Sequence, residues 1–160
     1  MSSQTTTSNP KASFKTLKLI HFAMCMGILM FMGVAYFQTI QKGFSFINSD
    51  DVFLYILPPI AIAGLLIGNK IFSVLINKIE RTDTFTIQFS KLQLASLIKY
   101  ALIEGPALIA ILYYMRESNL AYLAIAVALL AYMLFSRPTK DNIQSYLKLN
   151  TKDTRHLTER

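Results

Sequence analysis

Polar and apolar positions along this chain fall into long blocks and do not alternate. Four apolar stretches, roughly Leu17–Phe37, Val52–Gly68, Leu94–Met115 and Leu120–Phe135, are separated by polar segments. About 20 apolar residues cross a bilayer core of about 30 Å, and about 17 can suffice. The pattern therefore predicts an all-α, integral membrane four-helix bundle. Residues 1–13, rich in Ser and Thr, are expected to be a disordered tail. Residues 14–137 form the four-span domain, and 138–160 a tail with a short amphipathic helix in which Ile143, Tyr146, Leu147 and Leu149 rest on the membrane surface.

Periodicity changes after the second block. Ile71, Phe72, Leu75, Ile76 and Ile79 recur at helical spacing among polar residues, which predicts that the second helix continues beyond the apolar layer. Thr82-Asp83-Thr84 is a turn with capping residues, and a third helix can begin near Thr86. The resulting expectation is a helical hairpin extending spans 2 and 3. A short extended piece over Phe85, Ile87 and Phe89 is the alternative.

Charge orients the bundle. The linker between spans 2 and 3 carries Lys70, Lys78, Arg81 and Lys91, and the C-terminal segment carries Arg137, Lys140, Lys148, Lys152, Arg155 and Arg160. The other two loops carry few cations, so the positive-inside rule places both termini and the hairpin in the cytoplasm. The net charge of +7 is thus accounted for by membrane anchoring, and nucleic acid is excluded as a partner. Composition agrees: 53% of residues are hydrophobic and only 16% charged.

Helix-breaking and small residues mark packing positions. Pro58 and Pro59 in the second span, and Gly105 with Pro106 in the third, predict kinks. Ala61, Gly64 and Gly68 form one stripe of small residues, and Ala124 with Ala128 a second, where helices can approach closely. Met24, Met26, Met30 and Met32 read as packing residues in the first span. Tyr55, Tyr113, Tyr114 and Tyr122 are placed at the outer rim as interface aromatics.

Candidate chemistry centres on Glu104. It lies about ten residues into the third span, about 15 Å deep at ~1.5 Å per residue. A charged side chain at that depth costs about 2.5–3.5 kcal/mol on insertion scales and marks a functional position by default. Burial without a partner disfavours the ionised form, so Glu104 is expected to hold its proton at neutral pH and to bind a proton or a small cation. Lys99 is five positions away, about 140° around the helix, and points elsewhere. Tyr100 is the one polar residue sharing the face of Glu104, so a partner must come from another helix or another subunit. Pro106 frees the carbonyl of Leu102, which could add a backbone ligand to an ion site. His21, one turn inside the first span, is expected to reach the headgroups; a relay or ligand role is the alternative. Cys25 is the single cysteine and reads as a small apolar packer. There are no paired carboxylates, no Ser-His-Asp set, no phosphate loop and no metal-ligand spacing, so neither an enzyme, a cofactor nor a metal is implied.

Two resemblances bear on these residues. Ala101-Leu-Ile-Glu-Gly-Pro-Ala-Leu108 resembles the ion-binding helix of the proteolipid c subunits of rotary ATP synthases, where a mid-membrane carboxylate carries a proton or sodium ion. It implies ion binding at Glu104. The glycine ladder and the Arg-Gln-Pro loop of those subunits are absent. Across most of the chain, the four spans, the Leu102–Leu108 motif, Asn119 and the segment Arg137–Leu149 are similar to a family of short, uncharacterised four-span inner-membrane proteins of Bacteroidota-type bacteria. That resemblance implies location and fold, and that Glu104, Gly105, Pro106, Arg137 and Pro138 belong to recurring motifs. Two functions are expected from these readings: a structural or accessory subunit, as a homo-oligomer or in a larger membrane complex, or a proton- or cation-handling subunit built on Glu104.

Overall fold

The computed structural model describes residues 10–43, 51–80 and 82–147. Most of the segment expected to be disordered, together with Asp50, Arg81, Leu149 and the cations from Lys148 onward, lies outside the described residues. The described chain is helical: α1 (Pro10–Thr39), a 3-10 turn (Ile40–Lys42), α2 (Val52–Asn77), α3 (Phe85–Glu117), α4 (Leu120–Phe135) and α5 (Lys140–Tyr146). α1 begins at Pro10, inside the stretch expected to be disordered, because proline suits a helix's first turn. α1, α2 and α3 are long and apolar enough to cross a membrane. α4 has only 16 residues, about 24 Å at ~1.5 Å per residue. Large apolar side chains face outward throughout, Phe37 at 75% exposed and Phe135 at 90% among them, as a hydrocarbon surrounding requires.

α3 is the hub. It packs against α1, α2 and α4, and it is the most extensively buried of the helices. Small side chains make this possible: Ala95, Ala107 and Ala110 are fully buried on α3, and Ala126 on α4. One core runs along the middle through Ile28, Tyr100, Ile103, Ile111 and Met133 to Tyr114 and Tyr122 at the end where α3 meets α4. A second core closes the opposite end from Leu17, Ile76, Ile79, Phe89, Leu92, Ile143 and Leu147.

The α2–α3 contact is the tightest. Gly64 and Gly68 face α3 directly: a methyl at Gly64 would stand 2.5 Å from the Leu102 carbonyl oxygen and 3.4 Å from Pro106, and one at Gly68 would stand 3.4 Å from the Lys99 carbonyl. Leu102 is four residues before Pro106, so its carbonyl lacks the usual helical donor. Gly64 thus leaves room for an unpaired carbonyl that Pro106 creates on the neighbouring helix. α2 continues through Pro58 and Pro59, and α3 through Pro106, without a break.

The α2–α3 turn is held by side chains of α3. Gln88 Nε2 donates to the carbonyls of Glu80 (3.1 Å) and Asp83 (3.0 Å). Lys91 Nζ donates to Asp83 Oδ2 (2.6 Å) and to the Lys78 carbonyl (3.2 Å). Asp83 does not cap α3; the N-cap is Thr84, which makes no side-chain capping bond, and Asp83 Oδ2 accepts from the Glu80 amide at 3.1 Å. Phe85 and Phe89 stack within the first turns of α3, so the extended alternative is replaced by helix. α5 also departs from expectation. Ile143 (3% exposed) and Leu147 (2%) are buried in one apolar cluster with Leu17 and Ile79, because the ends of α1, α2 and α3 on that side offer an apolar face.

Two predictions follow from these contacts. Gly64→Ala should lower stability by about 1–3 kcal/mol, because the added methyl meets rigid backbone. Gly105→Ala, with nothing within 4 Å, should be neutral or stabilising by about 0.5–1 kcal/mol. Unfolding of the purified protein in mild detergent checks both. The Lys91 bond, and then the Glu80 amide, hold the Asp83 carboxyl below its ordinary value of 3.8. A depressed folded value stabilises the protein above the unfolded value, and that contribution is lost as pH falls through the folded one. The stability difference between wild type and Asp83→Asn should therefore be full at neutral pH and close as pH drops below 3.8.

Candidate functional site

One cluster of polar groups surrounds the C-terminal end of α4. A helix ends with four carbonyls that lack helical donors. In an apolar layer those groups must find protein partners. α4 stops at Phe135, and its neighbours supply them. His21 Nε2 of α1 donates to the Met133 carbonyl at 2.9 Å, and the Tyr100 hydroxyl of α3 donates to the Ser136 carbonyl at 3.2 Å. The Ser136 amide closes back on Tyr132 and Met133. From α2, Asn69 Nδ2 donates to the Tyr132 hydroxyl at 2.7 Å. Three helices therefore converge on the end of α4.

His21 is 6% exposed, so it does not reach headgroups as its position suggests. Its ring meets that of Tyr100 edge-on, with centroids 4.8 Å apart, and its Nε2 lies 3.9 Å from Cys25 Sγ one turn along α1. Because a carbonyl only accepts, the Met133 contact assigns the ring proton to Nε2. Cys25 in turn lies within electrostatic reach of Glu104. The sequence held one signal for this cluster, the i, i+4 spacing of His21 and Cys25, but nothing in it pointed to the carbonyls of α4.

Glu104 is half-buried on the side of α3 that faces α1, where Gly27 leaves a gap: a methyl there would stand 3.8 Å from Glu104 Oε1. Among the described residues its carboxyl has neither a hydrogen bond nor an ion pair. Tyr100, expected beside it, is 4% exposed and turns its hydroxyl to Ser136. Lys99 does not pair with Glu104; its Nζ lies 5.3 Å from the Phe72 ring centre and 5.9 Å from that of Tyr132. The Leu102 carbonyl freed by Pro106 faces Gly64 on α2, while Glu104 faces α1. Carbonyl and carboxyl thus occupy different sides of α3 and do not converge on one ion. Of the two small-residue stripes, Ala61, Gly64 and Gly68 are used inside the chain, whereas Ala124 and Ala128 are exposed on the outer face of α4.

At the other end of the bundle, Asp51 caps α2 through Oδ1 (3.1 Å to the Phe53 amide) and accepts from the Tyr122 hydroxyl through Oδ2 at 2.6 Å. Phe53, Tyr113 and Tyr122 stack in series. Tyr114 and Tyr122 are fully buried and so are core residues, not interface aromatics; Tyr55, 63% exposed, does face outward. The Tyr114 hydroxyl and Asn119 Nδ2 are buried without a partner among the described residues. Asn119 uses its Oδ1 to cap α4 on the Ala121 amide.

Comparison with protein-family models finds none that matches, and neither a curated protein nor a solved structure matches the chain. The site therefore rests on its own geometry.

Replacing His21 by Phe keeps the ring volume but removes the donor to Met133. It should cost about 0.5–1.5 kcal/mol, the net value of one hydrogen bond. Denaturant unfolding in detergent of His21→Phe against wild type measures this.

Proposed function

We propose that this protein is a structural or accessory membrane subunit that assembles through helix–helix contacts, with Glu104 at or beside the contact surface. The observation carrying this reading is the Glu104 carboxyl: half-exposed, deep in a long apolar helix, and unpaired among the described residues. An unsatisfied polar group in hydrocarbon costs free energy until a partner arrives. A second chain can bring that partner, and the exposed Ala124 and Ala128 of α4 offer a smooth face for one. In this reading α4 is a fourth pass. Its short length is tolerated because His21 and Tyr100 satisfy its final carbonyls in place of water. The cation-rich segments at the α2–α3 turn and after α4 support this reading with both termini on the cytoplasmic side, and the resemblance noted above suggests a bacterial inner membrane.

One observation favours a second reading, proton or cation handling at Glu104. Polar groups run from the Ser136 carbonyl through Tyr100 and His21 to Cys25 on α1, the helix that Glu104 faces at Gly27. The separation of the Leu102 carbonyl from the carboxyl weighs against a built cation site and leaves protons as the species concerned.

Blue-native electrophoresis of mild-detergent membrane extracts separates the two. Under assembly, Glu104→Leu shifts the protein to a smaller species. The interaction weakens by roughly threefold to thirtyfold, as an interhelical hydrogen bond of about 0.6–2 kcal/mol implies. Glu104→Gln, which still forms hydrogen bonds, keeps the larger species. A wild-type protein that runs as a monomer overturns assembly. Proton handling instead requires that Glu104→Gln abolish proton uptake in proteoliposomes while leaving the size unchanged.

A further inference from the structure

A cavity of about 100 Å³ lies beside the end of α4, under α5 and between the ends of α2 and α3. That is well above the ~10–15 Å³ that a single water needs. Its walls are partly apolar, from Phe72, Leu92 and Ile143, but two cations, Lys99 and Arg137, line it together with Asn142. No carboxylate is among its described lining residues. The hydroxyls of Ser96 and Tyr100, also at its wall, already donate to the carbonyls of Leu92 and Ser136. The donors left over are the Lys99 ammonium, the Arg137 guanidinium and the Asn142 amide, none of which has a hydrogen-bond acceptor among the described residues. Lys99 meets only ring faces. A half-buried ammonium lining the same cavity as a guanidinium, with no carboxylate on the described walls, is unfavourable electrostatically unless an anion joins them.

We propose that this cavity binds a phosphate oxyanion. Arg137 offers a planar fork suited to two phosphate oxygens, and Lys99 a point charge beside it. Phe135, 90% exposed, stands two residues before Arg137, so the cavity opens at the edge of the apolar outer surface. An anionic phospholipid headgroup reaches such a position with its acyl chains along α4, and free inorganic phosphate presents the same oxyanion from water.

The test uses the full chain purified in neutral detergent. Native mass spectrometry with equal amounts of phosphatidylglycerol and phosphatidylcholine counts retained lipid, and equilibrium dialysis measures inorganic phosphate. Wild type should retain phosphatidylglycerol preferentially, and Lys99→Gln with Arg137→Gln should lower that retention by about tenfold or more, as loss of two cations near an anionic headgroup implies. Arg137→Gln alone, at an exposed residue whose loss disturbs no packing, should lower it by a smaller factor, and Arg137→Lys should restore part of it. Loss of phosphate binding in the double variant with phosphatidylglycerol retention unchanged assigns the site to free phosphate. Equal retention and equal phosphate binding in wild type and both Gln variants overturn the proposal. So does an equal loss in Lys15→Gln with Lys18→Gln, exposed cations of α1 that do not line the cavity, since general surface charge would then be the cause.

Discussion

The constraint on which this structure depends is that backbone carbonyls in an apolar layer need partners or sheltered space. Most are satisfied along the helices. At two of the places that break the ladder, the end of α4 and the turn before Pro106, the neighbouring helices are arranged around the exposed carbonyls. At the first, His21 and Tyr100 donate to Met133 and Ser136. At the second, the Leu102 carbonyl is packed against Gly64, where any larger residue would collide with it.

These two requirements explain why α3 is the hub. It supplies Tyr100 to α4 and the Pro106 turn to α2, and its small residues let both neighbours approach. Glu104 is left on the remaining side, toward α1, where Gly27 gives it space but no partner among the described residues. An internal-glue role within the chain would require an acceptor or donor there. Among the described residues the carboxyl finds neither. The end bearing α5 is built differently. Its core is sealed by Ile143 and Leu147, and its cations, Lys99 and Arg137, flank a cavity and pair with no carboxylate among the described residues.

Local sequence pattern made the helices legible, because apolar blocks and their polar breaks are one-dimensional features. It also marked Gly64, Gly68 and Pro106 as packing or strain positions, since glycine and proline act on the backbone wherever they fall. It could not say that Gly64 and Pro106 meet each other, nor that Ala124 and Ala128 face outward while the glycine stripe faces inward. His21, Tyr114 and Tyr122 were misplaced for a related reason. Polar-tipped side chains near helix ends usually reach the interface; the Met133 carbonyl and Asp51 hold His21 and Tyr122 inside instead, while Tyr114 is buried by packing with its hydroxyl unpartnered among the described residues.

The sequence by itself predicted helices and four apolar spans, because hydropathy and helix length act residue by residue; among the described residues the chain is helical, three helices are long and apolar enough to cross a membrane, and the fourth, α4, has only 16 residues. It also singled out Glu104, because a lone carboxyl in an apolar block is conspicuous without any knowledge of its neighbours. The tertiary structure alone decided which polar groups were satisfied: His21 and Tyr100 by the end of α4, and neither Lys99 nor Glu104 by a hydrogen bond or ion pair among the described residues. Those outcomes depend on distances between helices, which are set by the size of the side chains packed between them.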